Sequence, residues 1–505
     1  MSGAIPDVRR RDVLVGGLGA MVGGAAVGGA GIAYAKTRDA GSAGAGTAMS
    51  LADAPPLEWF VSTRLFAPRV STWTREGATP SEGLTFATPR IPLFRGVAWD
   101  HDGSPVWIDP DGHSMTDLRV QTYRGQRVLT YWTGLVLDGT GNGRGVLRDE
   151  SYAVVAEVRP GNGVLADMHE FQLTSRGTAL LTSYPTYSWD LSPVGGPTDG
   201  YVWGARLQEV DIATGEVVFD WEGLDHIDLE ESQQGLNGKG DDLARPWDPV
   251  HANSVEADGE DFLLMSARHT SACYKIDKRS GEIVWRMGGK RSDFEVPAAA
   301  RFGWQHDLRR QPDGTLTIYD NHARAVETDA RSAALRLAVD EERMTVRLVQ
   351  ALRRTDCYGH AMGNAQYLPD GHVMVGWGTD TRATEFDERG RAVWELDGLA
   401  QGSYRTYRAP WVGRPTTDPD VGVHDGSVFM SWNGATEVAR WRVRAGASEQ
   451  DLREVATVER AGFETSAPLD AEAAFVAADA LDAAGRRLGS SRTVEVARAH
   501  SARQL

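Results

Sequence analysis

The sequence predicts an all-β protein: a six-bladed β-propeller followed by a small β-sandwich of the immunoglobulin or fibronectin III type. Three observations carry that prediction. Four segments can be laid on one another, HEFQLTSRGTALL from His169, HANSVEADGEDFLL from His251, HDLRRQPDGTLTIY from His306 and GNAQYLPDGHVMVG from Gly363. In each, a glycine follows the first position by eight residues, at Gly177, Gly259, Gly314 and Gly371. Between them recur stretches such as DIATGEVVFDW (211–221) and DKRSGEIVWR (277–286), with DERGRAVWEL (387–396) and WDHDGSPVWI (99–108) as variants, each reading as an outer hairpin ending in an aromatic. A strand–turn–strand unit at this period indicates four-stranded sheets set around an axis. The third observation is a change of grammar near residue 418, after which short alternating strands are separated by frequent turns, as in a sandwich.

Taken in order, residues 1–35 read as a targeting segment. Arg9, Arg10 and Arg11 precede Asp12-Val13-Leu14, a twin-arginine export pattern, and Ala33-Tyr34-Ala35 ends the Gly/Ala-rich run in a cleavage signal. The same run is long enough to act as an uncleaved membrane anchor. Residues 36–50 are small and polar and read as a linker. Residues 51–415 hold the propeller. The eight-residue offset finds two weaker units, Asp117 with Gly125 and Arg405 with Gly413, so the inner positions are 117, 169, 251, 306, 363 and 405. An acidic, Gly-rich insertion at 224–248 reads as a loop over one face. The hairpin near 92–108 precedes the first inner position, so the N-terminal strands are expected to complete the last blade and leave no open edge. Residues 418–505 form the sandwich and tail, with no catalytic constellation.

Composition narrows the function. A net charge of −17 over 505 residues argues against nucleic acid as a partner. The two cysteines, Cys273 and Cys357, read equally as a disulfide of an exported protein or as two buried thiols.

Residues at the start of each inner strand surround one mouth of the channel. His169, His251 and His306 therefore converge there, with Asp117 and Arg405 expected at the rim, and Asn253 expected to face the same way as His251 by strand alternation. Arg268 and His269 point to opposite faces, and the repeat does not choose between them. His360 and His322 fall near the same mouth. Tyr123, Tyr184, Tyr358, Trp304 and Trp377 are candidate aromatic walls.

The run WDPVHANSV…LLMSARHTSACYKIDKRSGEIVWRMGGKRSDFEV…RFGWQHDLR…TIYDNHAR, extended by DMHEFQL and GHAMGNAQYLPDGH, resembles the bacterial aryl sulfate sulfotransferase family over about residues 90–415, and looks closer to its actinobacterial and fungal branch. The resemblance implies a six-bladed propeller that moves a sulfuryl group from a phenolic sulfate ester to a phenolic acceptor without a nucleotide donor or other cofactor. It implies His306 as nucleophile and transient sulfohistidine, Arg268 on the sulfuryl oxygens, and His251 and His169 completing the pocket. Asn253, His360 and Asn321 are read as substrate-binding. Neutral imidazole is a competent nucleophile near pH 7, and Arg makes bidentate contacts to oxyanions. On these grounds Arg268 and His251 stabilise the oxyanion and His169 serves as acid/base, the last two roles being interchangeable. The alternatives are a metalloenzyme using three histidine ligands, opposed by the nearby Arg and by the lack of a clear acidic second layer, and a non-catalytic ligand-binding propeller.

Overall fold

The computed structural model describes residues 11–13, 56–91, 93–322, 331–470 and 472–496. Apart from 11–13, the segment read as signal and linker lies outside these residues. The described chain is built almost wholly from strands and loops, with short 3-10 turns as its helical elements, and none of its helices is long and apolar enough to cross a membrane.

Six antiparallel sheets succeed one another among the described residues. Sheet 1 runs outward from Met115–Tyr123 through Gln126–Leu137 and Thr140–Arg148 to Val154–Val158. Sheet 2 comprises Phe171–Leu173, Thr178–Ser183, Arg206–Asp211 and Val217–Glu222, and sheet 3 comprises Ala252–Asp258, Phe262–Ala267, Ala272–Asp277 and Ile283–Gly288. Sheet 4 comprises His306–Arg310, Leu316–Asp320, Ala333–Asp340 and Thr345–Leu352. Sheet 5 comprises Asn364–Tyr367, Val373–Gly376, Arg382–Phe386 and Ala392–Asp397, and gains Ser71–Thr74 as an outermost fifth strand. Sheet 6 is made from two distant parts of the chain: Ser403–Ala409 is innermost, and Leu84–Ile91, Val97–Trp99 and Pro105–Ile108 follow. Each sheet packs on the next and the sixth packs on the first, so the circuit is closed.

Large apolar side chains fill the spaces between successive sheets: Trp221, Trp247 and Tyr274 between sheets 2 and 3, Trp285 with Leu316 and Leu335 between sheets 3 and 4, Tyr319 with Trp377 between sheets 4 and 5. Truncating a buried Trp such as Trp285 costs about 3–5 kcal/mol.

The repeated glycines have one local cause. Gly125, Gly177, Gly259, Gly314 and Gly371 all turn the first strand of a sheet into the second with φ between 75° and 87°, where a side chain is strained. The sixth match is a coincidence: Gly413 lacks this conformation, and Ser403–Ala409 is not followed by a hairpin but leads toward the C-terminal sheets. The outer turns are set by Asp211 and Asp277, whose carboxylates accept the backbone N–H groups two and three residues on.

Four of the six innermost strands carry a register break at the repeat position. It lies between Thr116 and Arg119, between Ala252 and Ser254, between His306 and Arg309, and between Ser403 and Thr406. A bulge re-aims side chains. Strict alternation therefore fails where the sequence reading relied on it.

The C-terminal region forms two facing sheets. Asp420–His424, Ser427–Ser431 and Glu464–Pro468 make one. Arg453–Glu459, Arg440–Gly446, Phe475–Leu481, Arg487–Ser490 and Val494–Glu495 make the other. Val428, Trp441, Val443 and Val476 fill the space between them. This region is tied to sheets 1 and 6: Tyr152 Oη donates to the Gly434 carbonyl at 2.9 Å, and Asn433 Oδ1 accepts from Ile108 N at 2.8 Å. Cys273 and Cys357 are both free and buried, in different clusters, so the disulfide option is not realised.

Candidate active site at the mouth of the ring

His169, His251 and His306 meet at one end of the circuit. The rings of His169 and His251 lie 4.7 Å apart, and Tyr404 stands 5.5 Å from His169 and 6.5 Å from His306. All three histidines are buried.

Each has one ring nitrogen committed. His306 Nδ1 lies 2.6 Å from Asn321 Oδ1, while Asn321 Nδ2 donates to the carbonyls of Gly359 (2.7 Å) and Met362 (2.9 Å). With its amide donors used, Asn321 offers His306 only an acceptor, so the proton sits on Nδ1 and Nε2 keeps its lone pair. Burial, reinforced by the nearby Arg268 charge, pushes the His306 pKa well below its ordinary value, so the ring is neutral. His169 and His251 differ in that their partners are carboxylates. His169 Nδ1 is hydrogen-bonded to Asp167, and His251 Nδ1 lies 2.5 Å from Asp248 Oδ2. Burial outweighs the Asp248 attraction and brings the His251 pKa down to about 3.

Arg268 follows the second strand of sheet 3. Its guanidinium lies 4.5 Å from the Trp304 ring, with Nη1 3.1 Å from His269 Nε2 and Nη2 donating to the His360 carbonyl at 3.4 Å. His269 Nδ1 in turn donates to the Asp248 carbonyl at 2.7 Å. The adjacent histidine thus holds the arginine in place rather than competing with it.

The three residues read as substrate-binding have other contacts. Asn253 is fully buried and its Nδ2 donates to the Gln305 carbonyl at 2.7 Å, fixing the segment before His306. Asn321 sets the tautomer of His306. His360 offers Arg268 its carbonyl, and its Nδ1 lies 3.0 Å from Thr379 Oγ1. Tyr184 and Trp304 border the cluster, with Tyr184 5.8 Å from His169. Trp377 is in the core, Tyr358 is exposed, and Tyr123 stands by the Gly177 turn, away from the cluster.

Asp117 and Arg405 are not rim residues. They are wholly buried, and with Arg119, Glu170, Asp307 and the half-buried Arg309 they form a layer of three carboxylates and three guanidiniums. Glu170 meets all three arginines, Asp117 meets Arg119 and Arg405, and Asp307 meets Arg309 and Arg405. Backbone groups of the remaining sheets join in: Val255 N donates to Glu170 and Ala365 N to Asp307. The bulges explain the error, since they turn positions 117, 307 and 405 into the ring.

The sequence reading found no clear acidic support for the histidines. The support is Asp167 and Asp248, legible as D-x-H and D-x-x-H spacings. Asp248 ends the 224–248 insertion. Asp167 is held by Gly141 N, from the long hairpin of sheet 1, at 2.5 Å. Tyr404, which lies within the bulge of sheet 6, had no sequence signal.

Among the described residues, the groups able to chelate a cation are Asp248–His251–His269 and Asp109–Asp111–His113. Neither contains His169 or His306, so neither is the three-histidine ligand set of the alternative metalloenzyme reading. In the first group both His269 nitrogens are engaged and Arg268 lies alongside, which suits a cation poorly.

The model of the arylsulfotransferase (ASST) family matches residues 119–399, more than half of the chain and all four residues His169, His251, Arg268 and His306. No curated protein matches. Solved structures similar to the chain include a protein of unknown function from Bacteroides caccae (12% identity, TM-score 0.39, covering 65% of this chain and 98% of that one). Others are the periplasmic gluconolactonase PpgL of Pseudomonas aeruginosa (13%, 0.36, 64% and 97%) and the β-propeller domain of Cps50 (Swd1) from Myceliophteria thermophila (13%, 0.32, 63% and 94%).

Proposed function

The chain belongs to the arylsulfotransferase family, and from that premise we propose that it transfers a sulfuryl group from a phenolic sulfate ester to a phenolic acceptor by a ping-pong route through His306, without a nucleotide sulfate. The observation that carries this reading is the Asn321–His306 contact, which leaves Nε2 with a lone pair in a neutral ring.

In the first half-reaction Nε2 of His306 attacks sulfur in line with the aryl oxygen. The N–S bond forms, the S–O(aryl) bond breaks, and the phenolate leaves with the bonding pair. Arg268 faces the charge spread over the peripheral oxygens, and His169 completes the pocket beside it. In the second half-reaction an acceptor phenol gives its proton to His251 Nε2 and its oxygen takes the sulfuryl group, breaking the N–S bond. Asp248 on Nδ1 stabilises the His251 imidazolium formed at that moment. His251 is assigned acid/base work, and not oxyanion binding, because burial keeps it neutral beforehand. A weakly basic His306 is also a good leaving group in this second step.

The six closed sheets support a six-bladed propeller, and the two facing sheets after residue 418 support an immunoglobulin-like sandwich. The Arg10-Arg11-Asp12-Val13-Leu14 pattern supports twin-arginine export, checked by whether Arg10→Lys with Arg11→Lys retains the protein inside the cell. The sequence motifs favour the actinobacterial and fungal branch.

The test is nitrophenolate release from 4-nitrophenyl sulfate with and without excess phenol. Phenol-dependent release, with a sulfuryl adduct on the His306 peptide when phenol is omitted, is expected. Phenol-independent turnover would mark a sulfatase, and no release from several aryl sulfates would sink the reading.

A further inference from the structure

His251 stands on a strained backbone. Its φ is 57°, in the left-handed region that a residue with a side chain adopts at a cost. Two residues on, Asn253 is the extra residue of the sheet 3 bulge, since Ala252 pairs with Ala267 and Ser254 with Ser266. A bulged residue drops out of the ladder. His251, Ala252 and Asn253 are all buried, so their carbonyls need donors from outside the regular pairing.

Each carbonyl has such a donor, and the donors come from three different sheets. Arg268 N, at the end of the second strand of sheet 3, donates to the His251 carbonyl at 2.9 Å. Tyr184 Oη, just after the second strand of sheet 2, donates to the Ala252 carbonyl at 2.6 Å. Tyr404 Oη, across the circuit on the innermost strand of sheet 6, donates to the Asn253 carbonyl at 3.1 Å, and Arg405 Nη2 of the ion-pair layer donates to the same oxygen at 3.0 Å. A tyrosine has a single O–H to give, so both hydroxyls are spent on this backbone. Burial pushes both phenols well above their ordinary pKa, which keeps the two protons in place.

We propose that Tyr184 and Tyr404 are positioning residues: their hydroxyls clamp the strained His251–Asn253 segment and so aim the His251 imidazole, with Asp248 on its Nδ1, at the acceptor phenol. This rests on the sulfuryl-transfer reading and deepens it by tying two further residues to the second half-reaction. The sequence reading of Tyr184 as an aromatic wall concerns its ring, whereas the clamp concerns its hydroxyl alone. Replacement by phenylalanine keeps the ring and removes the donor, so it separates the two roles. The first half-reaction uses His306 Nε2 and takes no proton from His251, so it is spared.

The experiment compares Tyr184→Phe and Tyr404→Phe with the unaltered full chain, one half-reaction at a time. The burst of nitrophenolate from 4-nitrophenyl sulfate without phenol reports sulfation of His306 and is expected to stay within about twofold of the unaltered rate. Transfer from the adduct to added phenol is expected to slow about tenfold in each variant, the scale of one hydrogen bond lost at a buried acceptor, with little change in KM for phenol. An equal fall in both half-reactions, or unchanged transfer, overturns the clamp. A fall confined to the burst, or a raised KM for phenol at an unchanged transfer rate, makes the hydroxyls substrate contacts and also overturns it. Tyr184 is half-buried, so its variant carries the test should Tyr404→Phe fail to fold. Should no aryl sulfate react, the tautomer of His251 is read by NMR of 15N-histidine-labelled protein, with His251→Gln assigning the signal. Mixed tautomers in the variants, against a single Nδ1–H form in the unaltered protein, keep the clamp while the transfer reading fails, and unchanged imidazole signals overturn the clamp as well.

Discussion

Two layers of titratable side chains lie one residue apart in the ring. His169 and Glu170 are consecutive, as are His306 and Asp307, yet the members of each pair do different work. In the lower layer each carboxylate meets at least two guanidiniums and each guanidinium at least two carboxylates, and all but the half-buried Arg309 are buried. In the upper layer each histidine has one nitrogen held and the other available. The difference teaches that a buried charge marks chemistry only where its bonding capacity is left incomplete; where it is saturated it acts as a fastening.

That comparison can be broken by substitution. The largest effect belongs to the upper layer. His306→Ala is expected to lower phenol-dependent turnover by about 10³-fold or more, by analogy with loss of an attacking group, with an unchanged melting temperature. Near-normal turnover would break the assignment. In the lower layer, Glu170→Ala leaves three arginines facing two carboxylates and is expected to cost about 3–5 kcal/mol of stability, read by denaturant unfolding, while the folded fraction keeps its kcat. A large fall in kcat at unchanged stability would move Glu170 into the chemistry.

A smaller effect tests how the two layers divide positioning from fastening. Asn321→Leu removes the acceptor on His306 Nδ1 and is expected to reduce kcat by about 10²-fold, the scale on which an orienting partner acts, with little change in KM. The same layer also makes stability depend on pH. The folded-state pKa of His251, about 3, lies below its ordinary value of 6.5. Between those values the unfolded chain binds the proton and the folded one does not, so stability is complete above pH 6.5 and falls as the pH drops toward 3. Thermal melts of the His251→Gln variant over this window should show a shallower slope than the unaltered protein.

Much of this was legible in the sequence, and the failures have a common cause. The offset between His169, His251 and His306 and their glycines reports a turn that needs positive φ, a strong local constraint, so the convergence of the histidines followed from it. The offset at Arg405 and Gly413 satisfied the same spacing with no turn behind it. Facing directions were misread at Asp117 and Arg405 because a bulge of one residue reverses alternation and leaves no compositional mark. Asp167 and Asp248 stood in the quoted motifs, but their role depends on backbone geometry that places a residue two or three positions earlier beside the imidazole. Tyr404 reaches the cluster from a strand about 100 residues or more from each histidine in sequence, which only the closed circuit brings near.

That closure sets an order of events during synthesis. Ser403 pairs with Pro89 across more than three hundred residues, and Arg405, on the same strand, is the last cation of the lower layer to leave the ribosome. Until then Asp117, Glu170 and Asp307 have only Arg119 and Arg309 to share, and the edge of Leu84–Ile91 waits unpaired. Contacts of such long range form slowly. A nascent chain interrupted before residue 403 therefore carries every histidine of the mouth but has no means of latching the ring beneath them, so the protein becomes competent late and all at once.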